Sequence, residues 1–323
     1  MFVSGFMGSP RKKGNTQYLL SLLLEKLENH GATTELIDVT KKNILPCTGC
    51  GHCERKGTCP LDDDMGKDIL PVFKKSDLII IASPVYFYTV PSQLKAMIDR
   101  SQTLWARKYA LKINDPSAQS RKGFMLSVAA TKGKTLFDCI DMTLKYFFDA
   151  IGADFEGKLT YGGIEGPDEI KTHPSVLSDI ENTASQLAEL LKKKTILFTC
   201  SQNTGRSQMA GAFARKAAGD KFNILTAGSM PADKIEPEIE QSMAEKGIDI
   251  GFRKPESIDS ATKGIKPDFV VTINSGEETC INIPGSSSHI WIIDDPTGRP
   301  VESISKIRDQ IEEKVNALLT ELN

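Results

Sequence analysis

Apolar positions in the first half of the chain follow two different periods. The run DLIIIASP at 77–84 is continuously apolar, as in a strand buried on both faces, whereas NTQYLLSLLLEKLENHG at 15–31 repeats its apolar residues at helical spacing. The same reasoning predicts strands at 1–6, 33–39, 77–84, 123–130 and 156–164, and helices at 15–31, 90–108, 135–152 and 174–194. Strands that alternate with helices predict a parallel sheet with right-handed crossovers.

The alternation restarts near residue 194 with new strands and helices. Strands are predicted at 195–200, 222–228, 267–274 and 289–294, and helices at 206–219, 236–248 and 303–323. The last helix has an apolar face made of Ile304, Ile307, Ile311, Val315 and Leu318. Because the two halves share no motif, we predict two different three-layer α/β/α domains, each with a parallel sheet, at residues 1–193 and 194–323.

Composition narrows the class of protein without identifying it. A net charge of −2 gives no reason to expect nucleic acid or an anionic membrane as a partner. We expect neither a signal peptide in MFVSGFMGSP nor a membrane span elsewhere, since both need longer apolar runs. Seven cysteines, an odd number, favour thiols and metal ligands over a disulfide framework, so the cytoplasm is the expected compartment.

Two loops of the first domain follow predicted strands and carry ligand-binding groups. GSPRKKGNT at 8–16 joins the first strand to the first helix, and its hydroxyls, amide, cation and helix N–H groups favour a phosphate. SPVYFYTV at 83–90 brings aromatic side chains to the sheet edge where doubly wound folds bind ligands, and these suit a flat ring. A tight strand-to-helix turn is the alternative for the first loop, and a dimer interface for the second.

Together these loops resemble the NAD(P)H-dependent FMN reductase and iron–sulfur flavoprotein family over residues 1–190. The resemblance implies a flavodoxin-like fold, bound FMN, NAD(P)H as an electron donor, and a homodimer with flavin near its interface. It implies that the FMN phosphate is held by Ser9, Arg11, Asn15 and Thr16. It also implies that the isoalloxazine ring is flanked by Pro84, Val85, Tyr86, Phe87 and Tyr88, with AATKG at 129–133 as a third loop.

Four closely spaced cysteines form the second candidate site of this domain. CTGCGHCERKGTCP places Cys47, Cys50, Cys53 and Cys59 in the pattern C-x2-C-x2-C-x5-C, followed by proline. This run resembles ferredoxin-type [4Fe–4S] ligation, and the iron–sulfur flavoprotein family carries the same spacing. A tetrahedral zinc site and four free thiols are the alternatives. Cys139, on the apolar side of the helix predicted at 135–152, is expected in the core.

The second domain begins with a reactive cysteine loop, FTCSQNTGRSQM at 198–209. The loop joins a strand to a helix N-terminus, so its N–H groups face one centre, and Arg206 adds a bidentate clamp for a tetrahedral oxyanion. The same positive field favours the thiolate of Cys200, to which Ser207 can donate a hydrogen bond. IIDDPTGRP at 292–300 delivers Asp295 as a general acid. The alternative is a buried cysteine before a helix.

These segments resemble the low-molecular-weight protein tyrosine phosphatase fold across residues 195–323, and within it the arsenate reductase branch. The resemblance implies that Cys200 is the nucleophile, Arg206 the oxyanion ligand and Asp295 the acid, with Asn203 and Ser207 shaping the loop. Thioredoxin-linked members carry two further cysteines after the VVT strand, but here Asn274 replaces the first. Cys280 lies near the second, and either it or an external thiol resolves the adduct, unless Cys280 is structural.

The fusion of a flavin domain with an oxyanion site predicts a self-contained arsenate reductase. Arsenate is the expected substrate, phosphate an inhibitor, and thioredoxin or another thiol system an additional reductant. Asp295-Pro296 is followed by Thr297, Gly298 and Arg299, which form no aromatic slot for a phosphotyrosine ring. The alternative is a low-molecular-weight tyrosine phosphatase whose flavin domain senses redox state.

Overall fold

The computed structural model describes residues 1–276 and 283–322, which divide into two compact units. The first unit contains Met1–Leu111 and Ser120–Lys192, and the second contains Lys112–Gln119 and Lys193–Asn323. The second unit therefore includes a short segment that precedes the sequence boundary expected near residue 194. None of the helices among the described residues is long and apolar enough to cross a membrane.

The first unit is built on a five-stranded sheet in which every pairing is parallel. Its strands are β1 (Phe2–Met7), β2 (Thr33–Asp38), β3 (Leu78–Pro84), β4 (Lys122–Ala129) and β5 (Asp154–Gly162). Their order is β2-β1-β3-β4-β5, the doubly wound order of flavodoxin-like folds, so the predicted fold class is confirmed. In this order the chain reverses direction across the sheet between β1 and β3, which opens a crevice at their carboxyl ends.

Seven α-helices flank this sheet. They are α1 (Asn15–Asn29), α2 (His52–Lys56), α3 (Leu70–Lys75), α4 (Ser92–Arg100), α5 (Gln102–Tyr109), α6 (Asp138–Ala150) and α7 (Val176–Leu190). The single helix predicted at 90–108 is two helices, because the chain turns at Ser101, whose hydroxyl donates to the Met97 carbonyl. The expectation that Cys139 is a core residue is wrong: its side chain is exposed, while the buried face of α6 consists of Ile140, Leu144, Phe147 and Phe148.

The second unit has a four-stranded parallel sheet with helices packed against it. Its strands are β6 (Lys194–Cys200), β7 (Phe222–Gly228), β8 (Phe269–Asn274) and β9 (Ser287–Ile292), in the order β7-β6-β8-β9. Its helices are α8 (Arg206–Ala218), α9 (Pro237–Glu245), α10 (Ile258–Ala261) and α11 (Val301–Leu322). The predicted apolar face of the last helix is buried in one core with α8 and α9. This packing fixes the carboxyl end of β6 and the start of α8, where Cys200 and Arg206 lie.

The segment Lys112–Gln119 is held within the second unit by main-chain and ionic contacts. Asn114 pairs with Ile248 in a parallel bridge. Arg253 donates to Asp115 at 3.3 Å, and both side chains are nearly buried. These contacts connect residues far apart in sequence, which is why no local pattern predicted them.

Candidate active site and cofactor loops

Cys200 lies at the end of β6, and its sulfur is enclosed by the loop that leads into α8. The residue is 5% exposed. The Asn203 main-chain N–H donates to Cys200 Sγ at 3.3 Å, and Ser207 Oγ lies 3.1 Å from the same sulfur. A thiolate sulfur can only accept, so Ser207 donates to it when Cys200 is ionised. Two hydrogen-bonding groups, the Asn203 N–H and the Ser207 hydroxyl, therefore face the Cys200 sulfur.

Asn203 organises this loop from its centre. It is fully buried and adopts a left-handed backbone conformation (φ +56°), which lets its side chain fold back over the loop. Its Nδ2 donates to Ser207 Oγ at 2.7 Å, while its Oδ1 accepts from Gln208 Nε2 and from the Glu256 main-chain N–H. Sequence reasoning missed Gln208 and Glu256. The polar side chain of Gln208, directly after Ser207, could have indicated a further hydrogen-bonding partner for the loop. No pattern in the sequence indicates the Glu256 main-chain N–H, because it lies 53 residues from Asn203.

The Arg206 guanidinium is fixed by contacts from two other segments and from its own loop. Its side chain is 2% exposed. Nη1 donates to Ser275 Oγ at 3.0 Å and to the Ile293 carbonyl at 3.3 Å, and Nη2 donates to Ser201 Oγ at 3.3 Å. A guanidinium held in this way is preorganised to bind an oxyanion through its fork of donors. Ser275 was also missed, because its role depends on the end of β8 lying beside the start of α8.

Asp295 reaches the same arginine from the loop after β9. Its Oδ2 accepts from Arg206 Nη2 at 2.8 Å, and its Oδ1 accepts from the Thr297 N–H at 3.0 Å. The loop that carries Asp295 packs closely on the loop between Cys200 and α8, since a Cβ added to Gly205 would lie 2.8 Å from Pro296 Cγ. An oxyanion that binds both terminal nitrogens of Arg206 must therefore displace the Asp295 carboxylate from Nη2 or share that nitrogen with it.

Asn274 takes part in the structure of the β8 terminus and carries no thiol. Asn274, at the position of a cysteine in thioredoxin-linked relatives, is buried, and its carbonyl accepts from the Ile293 N–H at 2.8 Å. Its side-chain Oδ1 accepts from the Gly276 N–H, so the residue closes a turn at the end of β8. Cys280 lies outside the described residues.

The phosphate loop of the first unit begins where β1 ends and stops at the start of α1. Ser9 and Thr16 are buried, whereas Arg11 is exposed. The first turn of α1 has no side-chain cap, which leaves its N–H groups for an anion. Asn15 departs from the expectation for its side chain: Nδ2 donates to the Gly166 carbonyl and Oδ1 accepts from the Ile170 N–H.

Gly8 sets the shape of the phosphate loop, and its replacement by alanine is expected to weaken FMN binding. An added Cβ would lie 2.5 Å from Leu94 Cδ2, and the Leu94 side chain is fully buried on α4. The loop or the helix would therefore have to shift. Overpacking of this kind costs about 1–3 kcal/mol, so the dissociation constant for FMN should rise about 5- to 150-fold. Flavin fluorescence titration measures it. Gly66→Ala, where no atom lies within 4 Å, is the control, and equal affinities in both variants would contradict the prediction.

The aromatic loop after β3 is a tight turn with an unusual backbone. The Tyr86 and Thr89 main chains exchange two hydrogen bonds, and the residues between them, Phe87 and Tyr88, have φ of +48° and +63°. These are the angles of a type I′ turn, which bulky residues adopt at a cost of about 1–2 kcal/mol each. The turn leaves Phe87 entirely exposed. Strain combined with exposed aromatic groups at this sheet edge is typical of a ligand-binding loop.

The cysteine segment, residues 46–62, carries four free thiols. Cys47 and Cys50 are exposed, and Cys53 lies in the short helix α2. The His52 N–H lowers the pKa of the Cys50 thiol, whereas partial burial raises that of Cys53. Within the described residues, no three Cys, His, Asp or Glu side chains are already gathered as a metal site. The donor set itself fits an iron–sulfur cluster or zinc, because four unpaired thiols lie on one accessible segment.

Comparison with known proteins separates the two units. The sequence profile of the NADPH-dependent FMN reductase family matches residues 1–136, and that of low molecular weight phosphotyrosine protein phosphatases matches residues 195–323. An iron–sulfur flavoprotein of Methanocaldococcus jannaschii is 31% identical over 198 residues, which cover 59% of this chain and 98% of that protein.

The second unit is similar to a different set of proteins. An arsenate reductase of Bacillus cereus is 36% identical over 125 residues, covering 38% of this chain and 92% of that protein. An arsenate reductase of Brevibacillus brevis is 36% identical over 121 residues, covering 37% and 89% respectively. The chain therefore belongs to two families at once, joining an iron–sulfur flavoprotein of the FMN reductase type to an arsenate reductase of the low-molecular-weight phosphatase type.

Proposed function

We propose that the protein reduces arsenate at Cys200 and that its first unit supplies the electrons. The observation that carries this proposal is the arrangement of Cys200, Arg206 and Asp295 around one small anion site. The loop after Asp295 provides Thr297, Gly298 and Arg299 in place of aromatic side chains, which favours an inorganic oxyanion over a phosphotyrosine. Phosphate has the same shape and charge, so it should compete with arsenate.

The chemistry begins at the thiolate. Cys200 Sγ attacks arsenic, and the departing oxygen leaves as water after Asp295 donates a proton to it, while Arg206 and loop N–H groups stabilise the charge. A second thiol then attacks Cys200 Sγ: the S–As bond breaks, a disulfide forms, and arsenic leaves with two more electrons as arsenite. Cys280 or an external thiol, such as that of thioredoxin, serves as this second thiol. Two electrons and two protons return the disulfide to thiols.

The first unit is proposed to hold the redox groups. Ser9, Arg11 and Thr16 bind the FMN phosphate together with the Asn15 main-chain N–H, since the Asn15 side chain is tied to Gly166 and Ile170. The aromatic loop, with Pro84, Val85, Tyr86, Phe87 and Tyr88, flanks the ring. Bound FMN would accept a hydride from NAD(P)H and release electrons singly or in pairs.

The cluster site and the biological setting complete the proposal. Cys47, Cys50, Cys53 and Cys59 hold a [4Fe–4S] cluster, which would carry single electrons. Five free cysteines in the first unit and the buried thiol of Cys200 in the second are kept as thiols under reducing conditions, which supports a cytoplasmic location. The exposed aromatic turn supports a homodimer through the first unit.

An anaerobic flavin titration tests the coupling of the two units. The bound flavin is photoreduced, arsenate is added, and the oxidised flavin absorbance is followed; phosphate, which has the same shape but is not reducible under these conditions, is the control. We expect arsenate to reoxidise the flavin without an added thiol system, and phosphate to leave it reduced. Arsenite formation that requires an added thiol system, with no flavin reoxidation, would mean two separate activities on one chain. Turnover of an aryl phosphate faster than arsenate reduction would favour a phosphatase.

A further inference from the structure

A buried ion pair lies beside the cysteine segment without belonging to either reaction site. Arg100, at the end of α4, donates to Asp63 through both terminal nitrogens, at 2.5 and 3.2 Å. The side chains are 1% and 0% exposed. Removing two charges from water is costly, and a buried ion pair often stabilises a fold no better than apolar residues would. Its presence therefore suggests a positional role.

The ion pair ties together the two ends of the cysteine segment. Leu45 precedes the segment, and its N–H donates to Asp63 Oδ2 at 3.0 Å while its carbonyl accepts from Arg100 Nη1 at 2.8 Å. On the other side, the Met65 N–H donates to Asp63 Oδ1 at 3.0 Å. Asp63 is thus hydrogen-bonded to the main chain on both sides of the four thiols, and Arg100 is hydrogen-bonded to the main chain on the Leu45 side.

Helix α4 and the helix that follows it, α5, also contact the phosphate loop and the middle of the cysteine segment. Arg107 of α5 donates to the Gly57 carbonyl at 3.1 Å, between Cys53 and Cys59. Leu94 of α4 packs so closely on Gly8 that a Cβ there would clash. Helix α4 therefore contacts the phosphate loop through Leu94, near the start of the helix, and the two residues that flank the cysteine segment through Arg100, at its end.

We propose that Asp63 and Arg100 are positioning residues that close the cysteine segment into a loop able to gather its four thiols on one cluster. This inference rests on the cluster site of the proposed function. The segment has little regular structure, and Gly49, Gly51 and Gly57 all adopt left-handed conformations, so its own backbone does little to restrain it. Fixing the ends removes much of the chain entropy that four thiols would otherwise lose on binding iron.

Hydrogen exchange on the flavin-loaded, metal-free protein tests the clamp directly. Asp63→Asn cannot accept from Leu45, Met65 and both Arg100 nitrogens together, and Arg100→Met removes the donor fork. Amides within 46–62 should exchange about tenfold faster or more in both variants. Arg121→Met is the matched control: Arg121 is equally buried, but it binds carbonyls of Ser76, Ile151 and Gly152 at the amino ends of the strands.

A second measurement follows the metal itself. After anaerobic reconstitution with Fe²⁺ and sulfide, the rate of iron loss to a chelator should rise about tenfold or more in Asp63→Asn and Arg100→Met, with FMN content unchanged. Wild-type exchange and iron retention in these variants would overturn the clamp, as would equal acceleration in Arg121→Met or faster exchange without faster iron loss. A wild-type protein that takes up no iron would instead refute the cluster, while the exchange data still report on the clamp.

Discussion

Replacement of Cys200 by serine is expected to stop arsenite formation, lowering kcat roughly 10⁴-fold or more. Serine keeps the volume of the side chain, and its oxygen can still accept from the Asn203 N–H and approach Ser207. An alcohol remains protonated in this loop, however, and an oxygen cannot form the S–As bond or the disulfide that releases arsenite. The measurement is arsenite production under saturating reductant, together with flavin reduction by NAD(P)H, which should be unchanged.

The matched control for this variant is another cysteine. Cys139 lies on α6 with an exposed side chain in the first unit, so Cys139→Ser should retain wild-type arsenite formation. Loss of activity in both variants would mean that removing any cysteine impairs the enzyme, so the effect of Cys200→Ser would not identify the nucleophile. Residual activity of Cys200→Ser within about tenfold of wild type would contradict the nucleophile assignment, since replacing a catalytic nucleophile has far larger effects.

Much of the fold could be predicted because its patterns are local. The continuous apolar run of β3 and the helical spacing of α1 each specify one element through burial of its own side chains. The break at Ser101 was not predictable in the same way, since helical periodicity continues across it. The prediction for Cys139 was wrong because neighbouring positions of α6 face different sides of the helix: Ile140 is in the core and Cys139 faces solvent. A cysteine is compatible with either environment.

The candidate active site was predictable in part, for the same physical reason. One strand–loop–helix turn carries Cys200, Asn203, Arg206 and Ser207. Residues this close in sequence are also close in space, so the pattern itself predicted that they lie together. The groups that hold them come from elsewhere: the Glu256 main chain holds Asn203, and Ser275 holds Arg206. Such contacts depend on how separate strands end beside one another, which no single stretch of sequence encodes.

The pairing of Arg206 with Asp295 leads to the second large prediction, in which two measured quantities move in opposite directions. Asp295→Asn removes the group that we propose protonates the departing oxygen, so kcat for arsenate reduction should fall about 10²- to 10⁴-fold. The same change removes a carboxylate that lies 2.8 Å from Arg206 Nη2 and competes with an incoming anion. The side chain is 44% exposed, so the pair is partly screened and phosphate should bind only about two- to fivefold tighter.

Asp294 provides the neighbouring control for both quantities. It pairs with Arg299 at 3.1 Å, and its side chain is 71% exposed. Asp294→Asn should therefore leave kcat and phosphate affinity near wild type. If Asp295→Asn lowered kcat and weakened phosphate binding together, the carboxylate would be an anion ligand that assists binding. If phosphate affinity rose while kcat stayed unchanged, Asp295 would only occupy the empty site, and another group would have to protonate the departing oxygen.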